Sequence, residues 1–218
     1  MFLNEPEGAR LLAQLVADQL KRTGSSLALR VLAKLETQEN LGACGPASAV
    51  SVLNALEFRA PRDPRYAATM PRNLSYPFWT QDAFVFSPCA TRVLGPYVFG
   101  ETLDGFSAVL SCIGLSTDVV HAAGVPTADA VRRIEGAINA GAAVVANFDR
   151  RVAHEVGGGH FSPLGGSVAG YFFVLDVARY RYQPVFVPHD AFVAAMATPD
   201  DDQADGKSRG FVVLARAS

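Results

Sequence analysis

Gln38-Glu39-Asn40-Leu41-Gly42-Ala43-Cys44-Gly45-Pro46-Ala47-Ser48 runs from a polar, glycine-containing stretch into a helix start, with a cysteine at the junction. Pro46 suits a first helical turn, where its missing N–H leaves no bond unmade. Val50, Leu53 and Leu56 follow at helical spacing and predict a helix to about residue 56. A cysteine so placed sits among unpaired backbone N–H groups at the positive end of the helix. Both favour the thiolate, so its pKa is expected to fall. The same N–H groups can hold an oxyanion formed beside the sulfur. A small buried hydrophobe is the commoner fate of a free cysteine, and position alone leaves the two readings even.

Outward from this helix the periodicity divides the chain. Residues 8–22 read as helix, with Leu11, Leu12, Leu15, Val16 and Leu20 on one face. Residues 25–35 read as loop with some extended structure. Pro61, Pro64, Pro71 and Pro77 make residues 59–78 an irregular loop. Residues 101–114 and 127–140 are predicted helices. Past Gly141 the pattern changes, and residues 142–148, 160–164, 171–177 and 210–214 read as strands. Helices first and strands after imply an α+β fold with an antiparallel sheet. The expectation is one domain over 1–218, helical to about 140 and sheet from about 141.

Composition excludes several classes. Half of the 218 residues are hydrophobic, 18% are charged and the formal net charge is -2. Such a balance suits a globular domain and gives no long-range attraction to nucleic acid or anionic lipid. No apolar run is long enough to span a bilayer. The three cysteines, Cys44, Cys89 and Cys112, form no CxxC pair, so three free thiols are expected, with no structural zinc site. Cys112 reads as core and Cys89 as a loop residue. Free thiols and the lack of a signal-like start point to a reducing, cytoplasmic location, or a periplasmic one were the true start upstream. His121, His154 and His189 share no ligand spacing, so no metal ligands are assigned.

His160 shifts the balance at Cys44. It follows Gly157-Gly158-Gly159 and opens a predicted strand, and a hairpin folded about residue 168 would set Asp176 directly opposite. A carboxylate there would fix the imidazole tautomer and leave the other ring nitrogen for a thiol. An exposed hairpin histidine with a surface aspartate is the competing reading, slightly favoured on symmetry alone. Gln38, six residues before Cys44, could supply a second oxyanion hydrogen bond, although alone it is more often a polar loop residue. Together the order Gln, Cys, His, Asp is that of papain-like enzymes.

The motifs carrying these residues resemble those of phytochelatin synthases. Residues 38–48, with Val52-Leu53-Asn54-Ala55-Leu56 after them, look like that family's nucleophile segment. Phe78-Trp79-Thr80-Gln81-Asp82 resembles its aromatic segment. Gly158-Gly159-His160-Phe161-Ser162-Pro163-Leu164-Gly165-Gly166 is similar to its histidine motif, Leu175-Asp176-Val177-Ala178-Arg179-Tyr180 to its aspartate motif, and Gly206-Lys207-Ser208-Arg209-Gly210-Phe211 to its closing motif. The resemblance implies a papain-like fold and attack of Cys44 on the Cys–Gly bond of glutathione. Glycine leaves, and a γ-Glu-Cys acyl group remains on the sulfur. It implies His160 as base, Asp176 as orienting group and Gln38 as oxyanion donor. Arg209 and Asp202 would hold the γ-glutamyl end, and Arg179 the acceptor. Asn147, Gly159 and Phe161 would contact substrate.

No cofactor is implied beyond cadmium or zinc arriving as glutathione thiolate complexes. Glutathione is the expected partner, and family members can form homodimers. Ala43 departs from the aromatic residue usual before the nucleophile. No cysteine-rich second half like that of plant members follows, which implies hydrolysis ahead of transfer to a second glutathione. A non-catalytic glutathione or metal-thiolate binding protein and a general peptidase are the alternatives.

Overall fold

The computed structural model describes residues 1–61, 78–95, 101–152, 155–200 and 205–216. At its centre lies α3 (Cys44–Ala55), whose residues from Gly45 to Ala55 are all buried. A helix apolar on every side belongs inside a core. It packs against α2 (Leu27–Ala33), which in turn touches α1 (Pro6–Thr23), and its N-terminal end is directed at the sheet. In α1, Pro6 and Glu7 open the helix, Lys21 and Arg22 complement its negative end, and Gly24 closes it with φ 72°. Leu11, Leu15 and Gln19 form its buried stripe, narrower than the expected face.

α2 corrects the expected loop over 25–35. Ser26 caps it, its hydroxyl accepting from Leu29 N at 3.3 Å. The following Leu-Ala-Leu-Arg-Val-Leu-Ala run consists mostly of good helix formers. Gln19 ties three elements together: its side-chain oxygen accepts from Ser26 and from Ala28 N, and its nitrogen donates to Gly165 O at 2.8 Å.

Six strands make one sheet: β1 (Leu115–His121), β2 (Ala143–Asp149), β3 (Gly159–Val168), β4 (Tyr171–Val174), β5 (Val185–Pro188) and β6 (Gly210–Arg216). Their order is β1-β6-β2-β3-β4-β5, and every pairing is antiparallel. The α+β class with an antiparallel sheet is therefore the architecture. The expected order of helices then strands is not. β1 precedes α7 (Thr127–Asn139), and α8 (His189–Met196) lies between β5 and β6. α6 (Leu103–Ile113) and α7 match the periodicity. Short helices α4 (Gln81–Val85) and α5 (Pro88–Leu94), capped by Thr80 and Ser87, were not expected. The N-terminal residues guard the outer edge of β5: Leu3 N donates to Pro184 O and Phe186 N to Met1 O.

Two further expectations fail. Cys89 and Cys112 are joined in a disulfide that pins α5 to α6, so Cys44 is the free thiol among the described residues. Cys89 lies on a helix, not in a loop, and Cys112 is only partly buried. Spacing could not reveal the pair, because two helices packed side by side bring the sulfurs together across 23 residues. The β3–β4 hairpin turns at Ala169 (φ 50°) and Gly170 (φ 86°), not at residue 168. Two residues at positive φ are what a tight hairpin connection needs.

Candidate active site

Cys44 opens α3. The preceding Ala43 offers no side-chain cap, which leaves the first-turn N–H groups to the site. The sulfur is half-buried, approached by the backbone N–H of Phe161 from β3 and of Gly45 from its own turn. The expected fall in its pKa does not occur. Burial pushes the thiol up to about 11; the nearby Glu101 charge adds to this, and the two N–H groups and the Arg150 charge oppose it without prevailing.

Glu101 is 9% exposed, and neither carboxyl oxygen has a hydrogen-bond partner. A Cβ on Gly45 would collide with its Oε2 and lie 2.8 Å from its Cδ. The carboxyl thus rests on the first turn of α3, one residue from the nucleophile candidate. Burial raises its pKa to about 8.

His160 is the second residue of β3, 4% exposed, paired across the sheet with Phe148 and edge-on to that ring at 5.6 Å. Its Nε2 lies 3.1 Å from Oδ1 of Asp176, which is fully buried. The two meet, but not by the expected register. Leu164 pairs with Val174, and Leu175 N donates to Pro163 O, so continuing that register would put Asp176 opposite Ser162. A bulge between Leu164 and Gly166, where Gly166 has φ 143°, shifts the ladder. Asp176 lies beyond the end of β4 and reaches His160 diagonally, its Oδ1 also accepting from Ala178 N at 2.6 Å.

Arg150, 5% exposed, is the residue that sequence reasoning missed. Its Nη2 donates to both Asp176 oxygens at 2.9 Å and stands 2.6 Å from His160 Nε2. Its guanidinium carbon lies 5.0 Å from the centre of the Tyr182 ring. Burial lowers the His160 pKa and Arg150 reinforces this, against the pull of Asp176, so the imidazole rests neutral. Burial alone would raise the Asp176 pKa, but the His160 hydrogen bond and the His160 and Arg150 charges hold it below the usual carboxylate value. With Nε2 committed to this cluster, Nδ1 is the ring nitrogen left for a thiol proton.

Gln38 is buried, and its amide nitrogen donates to Asn40 O at 2.7 Å and reaches Tyr180 Oη at 3.4 Å. On the other side of His160, Asn147 pairs with Phe161 in β3 and with Gly210 in β6. Its Nδ2 donates to Asp200 at 3.1 Å. Arg209 donates to Thr198 Oγ1 and to Pro199 O, and its Nη2 stands 3.8 Å from Asp200. Gly159 leaves room for that guanidinium, since a Cβ there would lie 2.9 Å from Nη2. Asp202 lies outside the described residues; among those described, Asp200 of the same acidic run is a carboxylate beside Arg209. The Phe161 ring is buried and stacks on Phe106 at 4.9 Å. Arg179 is exposed, donates to Leu35 O at 3.2 Å, and borders a cavity of about 650 Å³ with Tyr180, Tyr182 and Thr37. Among the described residues no three His, Cys, Asp or Glu side chains gather as a metal would require.

The sequence model of one protein family, described as phytochelatin synthase, matches residues 3–211. Glutathione gamma-glutamylcysteinyltransferase 1 of Lotus japonicus is 28% identical over 192 residues, 86% of this chain and 35% of that protein. Glutathione gamma-glutamylcysteinyltransferase of Schizosaccharomyces pombe is 33% identical over 124 residues, 53% of this chain and 28% of its own length. The chain thus spans about a third of the length of these curated relatives. Among solved structures, the peptidase domain of Streptococcus ComA, a bifunctional ABC transporter of a quorum-sensing pathway, superimposes with a TM-score of 0.48. It shares 13% identity, covering 84% of this chain and 98% of that one.

Proposed function

Because this chain belongs to the phytochelatin synthase family, we propose that it is a papain-like cysteine acyl-transfer enzyme acting on the Cys–Gly bond of glutathione. The observation that carries the reading is the meeting of α3 and β3. The Cys44 sulfur faces the N–H of Phe161, the residue next to a histidine that is itself held by a buried aspartate. In this mechanism His160 Nδ1 takes the thiol proton as sulfur adds to the carbonyl carbon. The carbonyl electrons move onto oxygen, where the N–H groups at the start of α3 stabilise the oxyanion. Gln38 joins them by exchanging its longer contact, that to Tyr180. The same imidazole returns the proton to the departing glycine nitrogen, and the thioester of γ-Glu-Cys remains.

Arg209 takes the γ-glutamyl carboxylate and an aspartate of the acidic run, Asp202 or the neighbouring Asp200, the α-ammonium, with Asn147, Gly159 and Phe161 shaping the pocket between them and the sulfur. Water then takes the acyl group. A second glutathione, free or as its cadmium or zinc thiolate, is the lesser acceptor, bound in the cavity beside Arg179. The Cys89–Cys112 bridge supports a disulfide-permissive compartment over the reducing one that free thiols would indicate. No helix among the described residues is long and apolar enough to cross a membrane.

Glutathione incubated with the protein, with and without cadmium or zinc, is expected to give glycine and γ-Glu-Cys by mass, with longer peptides minor. Cys44→Ala should release no glycine and carry no acyl mass while remaining folded; undiminished glycine release from that variant defeats the reading. The raised Cys44 thiol favours one rival, a glutathione binder without turnover, which would show ligand retention and no acyl adduct.

A further inference from the structure

The Glu101 carboxyl is built into the nucleophile's end of α3 without any group to match it. It is 9% exposed, both oxygens lack hydrogen-bond partners, and it presses on Gly45, where any side chain would displace it. Buried polar groups without partners are rare in folded proteins and call for an explanation. Arginine or lysine would be the usual neighbour of such a carboxylate. Its charge instead bears on another acid, the Cys44 thiol, one residue before the Gly45 it presses on. Two acids in one low-dielectric pocket cannot both ionise readily, because the second charge forms against the first.

We propose that Glu101 takes the negative charge of this pocket first and so holds resting Cys44 as a neutral thiol, making the nucleophile only as His160 removes its proton. A papain-like site can instead store a preformed thiolate beside a charged imidazole. Here the charged groups acting on the sulfur are Glu101 from the segment before α6 and Arg150 beyond β2, and His160 on β3 stands against Arg150. Arg150 already donates to both oxygens of Asp176, so its charge is shared before it reaches the sulfur. His160 directs Nε2 into that cluster. Among the described residues no full positive charge is dedicated to Cys44. The balance of the step is simple: the S–H bond breaks, its proton goes to His160 Nδ1, and the sulfur electron pair forms the S–C bond. Glu101 touches no reacting atom in this account and acts as a positioning residue on the proton. The ordering fits the two directions found, a carboxyl titrating near 8 and a thiol near 11.

The test is the pH dependence of Cys44 alkylation by iodoacetamide in the full chain, with Cys44→Ala as background and the Cys89–Cys112 disulfide left oxidised. The wild-type rate should climb with a single midpoint above pH 9 and show no plateau between pH 5 and 7. Glu101→Gln, which keeps shape and removes charge, should move the midpoint down by about a unit, raising the rate several-fold at pH 9.5, where wild-type Glu101 is ionised. Equal midpoints in the two proteins overturn the proposal. A wild-type plateau at pH 5–7 overturns it too, and that measurement needs no variant to fold. The inference rests on Cys44 being the nucleophile, but its readout needs no glutathione. A chain that alkylates as described yet releases no glycine removes the proposed function and leaves the thiol state standing.

Discussion

The guanidinium of Arg150 sits where the imidazole and the carboxylate of the site both need it. With Asp176 wholly buried, Arg150 is its counter-charge. Replacing Arg150 with Met leaves that carboxylate unmatched, and losing one partner of a buried pair destabilises by roughly 3–5 kcal/mol. Melting of Arg150→Met should therefore fall by roughly 6–20 °C. The sign with pH follows from the depressed Asp176 value. Its stabilisation is present above the ordinary carboxylate pKa and lost as pH falls through the lower folded one. In the variant this loss should begin at higher pH, seen as an earlier acid limb in melts between pH 3 and 7.

Glu101 has the opposite sign, since its folded pKa of about 8 lies above the ordinary carboxylate value of 4.5. Its penalty is absent below about 4.5 and complete above about 8. Glu101→Gln should match wild type at pH 4.5 and exceed it at pH 8, by an amount on the order of a few kcal/mol. Neither residue was legible in the sequence. Arg150 stands in Asp149-Arg150-Arg151, which reads as a charged surface turn, and Glu101 precedes a helix, where acids are common. Cys44 and His160 stood out because each lies beside glycines at an element boundary, and Asp176 because a hairpin reading set it opposite His160.

Among elements, the disulfide and one glycine carry consequences for the pocket. The Cys89–Cys112 bridge closes a loop of 23 residues between α5 and α6. Cys89→Ser should lower stability by about 3 kcal/mol, measurable as a fall in denaturant midpoint that reductant reproduces in the wild type. Gly210 begins β6 opposite His121, where an added Cβ would collide with Val120 O. Backbone on both sides cannot yield as a side chain can. Gly210→Ala should destabilise by about 1–3 kcal/mol, and it should raise KM for glutathione more than it lowers kcat, since Arg209 is displaced with it.

Elements with strong periodicity were readable: α1, α3, α6, α7 and the strands β2, β3, β4 and β6. Those missed had little pattern to offer. β1 buries only Leu115 and Val120 fully, so Ser116, Thr117 and Asp118 hide its alternation. β5 has four residues, and α5 begins on a proline in a stretch without a repeating apolar stripe.

For the whole molecule, class was easier to read than connection. An antiparallel sheet with helices against it follows from local patterns, whereas strand order depends on pairings between distant residues. β1 and β6 pair across about ninety residues, and nothing in either segment announces the other.

β6 is the last strand of the sheet along the chain, yet it lies between β1 and β2. During synthesis the ribosome must therefore deliver residues 210–216 before two earlier strands gain a shared neighbour. A nascent chain arrested just short of them carries its cysteine without Arg209 or a continuous sheet beneath it, and should be cut readily by protease. The thiol is in this way kept from a finished pocket until translation has passed residues 210–216.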